Sequence, residues 1–227
     1  MNILAIDTSS SSMSVCVMSD GVIKGEINLN NGLVHSTTLM PCIEDLFKII
    51  NFDKKTLDMI AVCVGPGSFT GIRIGVATAN AMSMAFNIPV VSVSTLDALA
   101  MNFLYFDGII ISTVDAQRDN FYVGVYKSDG NRVVSVRENE IMSDEELTNY
   151  ISSLRDKVIL SGDAIESINV EGFIFPNSAN NFIRASNVAV LGEIIGAKDK
   201  NFANPVYMRK SQAEIVYEQK HKDIEQV

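Results

Sequence analysis

Residues 6–21, "IDTSSSSMSVCVMSDG", and residues 114–130, "VDAQRDNFYVGVYKSDG", decide the fold. Each opens on an apolar residue and an aspartate, passes through a polar turn into V-x-V alternation, and closes on Ser-Asp-Gly. Alternation with period two turns one face of a strand inwards. Asp-Gly between two alternating runs is the strongest short-range hairpin signal. Each stretch therefore reads as the centre of three antiparallel strands, over 2–8, 12–18 and 22–30 and again over 108–115, 120–127 and 131–141.

The segments after the two hairpins also correspond. After the first come a helix over about 36–51, a strand over 58–64, a helix over 70–86 and a strand over 89–93. After the second come a helix over 143–153, a strand near 157–161 and a helix near 180–196. Ser143 reads as the N-cap of "SDEE", with Glu146 completing a capping box. The chain divides into an N-terminal lobe over 1–106, a shortened C-terminal lobe over 107–210 and a charged tail over 211–227, with "MNFLYFDG" at the crossing.

A duplicated βββαβα order predicts an α/β fold of the actin-like ATPase (ribonuclease H-like) type, with two lobes and the second shortened. In that architecture the first hairpin turns of the two halves face each other across a nucleotide cleft. Asp7, followed by Thr8, and Asp115 occupy the aspartate positions. Neither "DTSSSS" nor "DAQRDN" contains glycine, the residue that lets backbone N–H groups close on an anion. The expected cleft is vestigial: present in outline and poor at holding ATP.

The 227-residue chain is 47% hydrophobic and 20% charged, as a globular protein is. Its net charge of -9 gives none of the counterion release that drives nucleic-acid binding, so tRNA is expected only through a complex. Cys16, Cys42 and Cys63 form no C-x-x-C pair and sit in apolar runs, as buried thiols of a reducing cytoplasm do. The start "MNILAIDTSS" reads as a first strand and not as a signal peptide. No apolar run reaches the roughly 18 to 20 residues of a membrane span. The expected location is cytoplasmic, with no membrane contact.

The glycine stretch "VCVGPGSFTGIRIGVATANAMSMAF", residues 62–86, resembles a phosphate loop only in part. No lysine follows Gly71, as a Walker loop requires, and Thr70 stands where a dinucleotide loop has its third glycine. Pro66 and Gly67 read as a turn, with Ser68 or Thr70 capping the helix. An anion on Ser68, Thr70 and Arg73 is the competing reading. Along the helix, Gly71, Gly75, Ala79 and Ser83 recur every four residues as a strip that admits another helix closely. The preceding helix carries Leu39, Ile43 and Phe47 within a broad apolar face, and Pro41 predicts a regular start near Thr38. Either these two helices are covered by the rest of the chain, or they form a partner surface.

The segments "ILAIDTS", "GPGSFTGIRIG", "VSTLDALA", "VDAQRDNFYVGVY" and "NPVYMRKS" resemble the TsaB (YeaZ) family across nearly the whole chain. The resemblance implies a non-catalytic subunit of the bacterial complex that makes N6-threonylcarbamoyladenosine in tRNA. It implies a heterodimer with a TsaD-like catalytic paralogue and docking of a TsaE-like small ATPase. The partner interface would then comprise Leu39, Ile43, Phe47, Gly71, Ile72, Gly75, Ala79 and Ser83. It implies no cofactor in the isolated chain, nucleotide at the subunit boundary, and a homodimer when the partner is missing. The paralogue's H-x-x-x-H metal pair has no counterpart, since His35 and His221 lie far apart. Asp7, Asp115, Asp119 and Asp163 each fit a turn or strand end, so no metal is expected. The alternative is an ATP-binding or weakly active ATPase or kinase of the same fold.

Overall fold

A computed structural model describes residues 1–30, 32, 34–166, 168, 173–197 and 202–209. The charged segment 211–227 lies outside the described residues. The first half comprises β1 (Asn2–Asp7), β2 (Met13–Ser19), β3 (Val22–Leu29), α1 (His35–Ile49), β4 (Met59–Gly65), α2 (Phe69–Phe86), β5 (Val90–Ser94) and α3 (Thr95–Ala100). The second comprises β6 (Ile109–Asp115), β7 (Asn120–Ser128), β8 (Val133–Ser143), α4 (Asp144–Ser153), β9 (Val158–Gly162), β10 (Phe173–Ile174) and α5 (Ala185–Ile195).

These strands form two five-stranded sheets of the same order, β3-β2-β1-β4-β5 and β8-β7-β6-β9-β10. In both, the first strand pairs antiparallel with the hairpin and parallel with the strand after the helix. Ala5 lies opposite Cys16 and Ala61, while Ile111 lies opposite Val125 and Leu160. The repeat read from two short hairpins is thus a repeat of whole sheets.

Each sheet is buried on both faces, and period two sorts its residues between them. Leu4 and Ile6 face α1 and α2, whereas Ile3 and Ala5 face α3 and α5. On the second sheet Ile109 and Ile111 share a core with Leu147 and Ile151 of α4. Its other face, with Ile110 and Val114, closes on Leu96 and Ala100 of α3. Six-residue α3 is therefore a wedge between the lobes, giving Ala98 and Leu99 to one sheet and Leu96 and Ala100 to the other. Ser94 caps it by accepting the Asp97 N–H at 3.3 Å, and the Tyr126 hydroxyl donates to Asp97 Oδ1 at 2.7 Å.

Three readings of the sequence need correcting. The helix expected near 180–196 begins only at Ala185. Asn102 Nδ2 donates to the carbonyls of Asn180 and Phe182, at 3.1 and 2.8 Å, which holds that segment out of the helix. The same helix does not belong to the second lobe's layers. It lies on the first sheet, fastened where Ser14 Oγ accepts the Ala185 N–H at 2.7 Å and Glu26 Oε1 accepts the Ser186 N–H at 2.8 Å. Finally, α1 starts at His35 and continues through Pro41, whose ring stands on the exposed side. Thr37 and Thr38 donate their hydroxyls to the Val34 carbonyl, each at 3.0 Å, within its first turn. The expected capping box of α4 forms as read, on Ser143 and Glu146.

Helix α5 reaches the sheet because residue 192 has no side chain. A Cβ there would lie 2.6 Å from the Ala61 Cβ. Gly192→Leu is expected to lower stability by about 1–3 kcal/mol through overpacking, read as a lower midpoint of urea unfolding. An unchanged midpoint would show that α5 does not need this seat.

Candidate functional site

The glycine loop and the first hairpin turn are built against each other. Added Cβ atoms at Gly67 and Gly71 would run into the carbonyl oxygens of Ser9 and Thr8. A Cβ at Gly75 would come within 2.5 Å of Thr8 Oγ1. The closeness is used: Ser68 N–H donates to the Ser9 carbonyl at 2.8 Å, and Thr8 Oγ1 donates to the Gly71 carbonyl at 2.7 Å. Ser68 Oγ caps α2 by accepting the Gly71 N–H at 3.2 Å. The small-residue strip of α2 therefore faces its own lobe, not a partner. Gly71, Ile72, Gly75, Ala79 and Ser83 are buried there, and Leu39, Ile43 and Phe47 of α1 belong to the same core. Ser83 also closes the end of α2, its hydroxyl donating to the Ile88 carbonyl.

Seating α2 on the turn separates the two aspartates that the sequence placed as a pair. Asp7 and Asp115 end equivalent strands, but Asp7 is 0% exposed and does not line the interlobe cleft. Its Oδ1 accepts the backbone N–H and the hydroxyl of Ser9, at 3.1 and 2.5 Å. Asp115 is exposed; its Oδ1 accepts the Gln117 N–H at 2.7 Å, and its own N–H donates to Asp163 Oδ2 at 2.8 Å. The physical reason is the missing counterpart of α2: β9 is followed by a single 3-10 turn, so nothing covers that strand end.

The cleft itself, about 1330 Å³, lies between the lobes and carries mixed charge. Ser68, Thr70 and Arg73 line it, together with Asp115, Asp163 and Arg209. Arg73 lies flat on Phe69, 3.7 Å from the ring centroid, and its Nε donates to the Tyr207 hydroxyl at 2.8 Å. His35 reaches the wall, with Nε2 2.9 Å from the Ser10 carbonyl. No group of three or more metal-ligating side chains occurs among the described residues.

A second concavity was missed by the sequence reading. Between α1 and α2 runs a groove of about 930 Å³. Its floor is Ile43, Phe47, Met82 and Phe86, and one wall is the exposed row Ala77, Ala81 and Ala85. Glu44, Lys48, Asp53 and Lys54 give it a rim of both signs. An apolar floor inside a charged rim is the anatomy of a protein interface. Met84 and Ile49, 70% and 75% exposed, extend the apolar surface beyond the groove. The alanine row has the same four-residue spacing as the glycine strip, and that was its only signal in the sequence.

The tRNA threonylcarbamoyladenosine biosynthesis protein TsaB of Bacillus subtilis is 32% identical over 226 residues, covering 94% of this chain and 96% of its own. This chain belongs to the TsaB (YeaZ) family. The TsaB of Escherichia coli is 29% identical over 149 residues, covering 65% of this chain and 64% of its own. Residues 32–203 match the family model of TsaD, tRNA N6-adenosine threonylcarbamoyltransferase. A solved chain from Pseudomonas aeruginosa, described as an uncharacterised protein with similarity to peptidase YEAZ, superposes with a TM-score of 0.79 at 23% identity. It covers 92% of this chain and 99% of its own, and that likeness gives the fold. The two-lobe actin-like architecture expected from the hairpins is that of this TsaB-family chain.

In this family member the first-lobe aspartate works as a buried turn residue. Burial pushes its carboxyl above the ordinary value of 3.8, against the opposing hydrogen bonds from Ser9. Above 3.8 the unfolded chain loses a proton that the folded chain still holds, so stability falls as pH rises until the folded carboxyl too has ionised. Asp7→Asn removes this titration. The stability gap between Asp7→Asn and the unsubstituted chain should therefore shift in favour of the asparagine between pH 4 and pH 8. Thermal unfolding across that range measures it, and a pH-independent gap would show that Asp7 does not titrate abnormally.

Proposed function

We propose that this chain is a non-catalytic partner subunit in tRNA threonylcarbamoyladenosine biosynthesis, pairing with a TsaD-type transferase subunit through the α1–α2 groove. The observation that carries the reading is the groove: an apolar floor, an open alanine wall and a charged rim on a chain of the TsaB family. The interface moves by this reading from the glycine strip to the opposite side of α2. The groups a hydrolase would need are engaged elsewhere, Ser68 with the Gly71 N–H and His35 with the Ser10 carbonyl. A TsaE-like ATPase would dock on the pair, and nucleotide would sit at its boundary. Since the chain carries a net charge of -9, tRNA would be met through the complex. A chain without its partner would use the same groove for a homodimer. An ATPase reading has the open Asp115 in its favour, but the matching Asp7 is sealed away from the cleft.

Light scattering on the chain alone and mixed with a TsaD-type subunit tests the proposal, with a one-to-one species expected. Ala81→Glu would bury an unpaired charge against the partner and weaken pairing by about 100-fold or more. Ala81 is exposed, so the isolated variant should unfold at the temperature of the unsubstituted chain. Loss of threonylcarbamoyladenosine from tRNA in cells carrying Ala81→Glu should accompany the loss of pairing. Pairing at undiminished affinity would remove the groove from the interface.

A further inference from the structure

Residues 203–209 run from the first lobe to the second along the mouth of the cleft. Ala203 is buried in the first core, and Asn80 of α2 grips both its backbone groups. Asn80 Nδ2 donates to the Ala203 carbonyl at 2.9 Å, and Oδ1 accepts its N–H at 3.0 Å. Further on, the Val206 N–H donates to the Val64 carbonyl at 2.7 Å. Tyr207 then meets Phe69, with 4.8 Å between ring centroids, and takes the hydrogen bond from Arg73. Met208 packs against the inner core of the second lobe. Arg209 finishes the crossing, its Nη1 donating to the carbonyls of Ala116 and Gln117 at 2.7 and 3.3 Å.

That last contact falls on a strained turn. Gln117, Arg118 and Asp119, between β6 and β7, are all left-handed, with φ of 63°, 58° and 56°. Residues with a Cβ hold this conformation only where the surroundings impose it. Asp115 accepts the Gln117 N–H, and Asn120 Nδ2 donates to the Arg118 carbonyl at 2.6 Å. Arg209 adds a tie from outside the lobe. The guanidinium's planar set of donors lets one Nη serve two successive carbonyls.

We infer that residues 203–209 are a strap that fixes the opening of the interlobe cleft by tying α2 to the β6–β7 turn. Its lobe-one anchors, Arg73 and Asn80, lie seven residues apart and so on one side of α2. Its lobe-two anchor is the strained turn that lines the cleft. Fixed at both ends, the two sheets cannot rotate apart without breaking the Arg209 or the Asn80 contacts.

Spin labels on Ser36→Cys in α1 and Glu145→Cys in α4, in a Cys42→Ser background, would report the interlobe distance in the isolated chain. Arg209→Ala and Asn80→Ala each release one end of the strap. Both are expected to give a distance distribution about twice as wide as that of the intact strap, and Arg209→Ala to speed exchange of the Gln117 amide by about tenfold. Arg209→Lys keeps the charge but not the planar fork, and should fall between. Arg209 ties only to backbone carbonyls of a surface turn, so its removal leaves both cores intact and that variant alone decides. An unchanged distribution in Arg209→Ala overturns the strap. The measurement needs no partner, so its outcome is separate from that of the groove.

Discussion

The carbonyl oxygens of Thr8 and Ser9 lie where side chains at 71 and 67 would begin, so α2 reaches the first hairpin turn only because those residues are glycine. From this backbone-to-backbone seat the rest of the first lobe is laid out. It seals Asp7 beneath the helix start, where burial and not solvent sets its ionisation. It points Ile72, Val76 and Ala79 at the sheet. It turns Ala77, Ala81 and Ala85 outwards, and it holds Arg73 and Asn80 where the strap crosses. A strip that lets helices approach closely serves here for a turn and a strand.

The second lobe shows what the same hairpin does without that seat. Gly162 ends β9 as Gly65 ends β4, both at positive φ, but no long helix comes after it. Asp115 stays open, and the adjoining turn is left-handed at three successive residues. Support comes from elsewhere in the chain: α3 closes the inner face of the sheet, with Met208 at its edge, and Arg209 reaches the turn. The two halves share a topology while differing in what their first turns can do.

Much of the fold was legible because its signals are local. Val-x-Val alternation and Asp-Gly fixed both hairpins, the Leu39–Ile43–Leu46 spacing fixed α1, and Ser143 with Glu146 fixed the start of α4. Where burial is complete the periodic signal vanishes. Helix α3 is apolar on both sides and six residues long, and β10 has two residues. Neither leaves a pattern to read. The site was legible only as a choice between two strips of identical spacing on α2. What decides between them is the position of Thr8 and Ser9, a tertiary fact that no window on the helix contains. The docking of α5 on the first sheet is non-local in the same way, because its apolar face suits either sheet.

That docking sets an order on synthesis. The strands of the first sheet leave the ribosome early, and α1 and α2 can close one of its faces at once. The other face, with Ile3, Ala5, Met59 and Ala61, is covered by Val188, Ala189 and Leu191 of α5. Those residues emerge only after the whole second sheet has been made. Until then the nascent chain presents a bare apolar layer, the kind of surface that invites aggregation during folding. The N-terminal lobe is first to be translated and among the last parts to be complete.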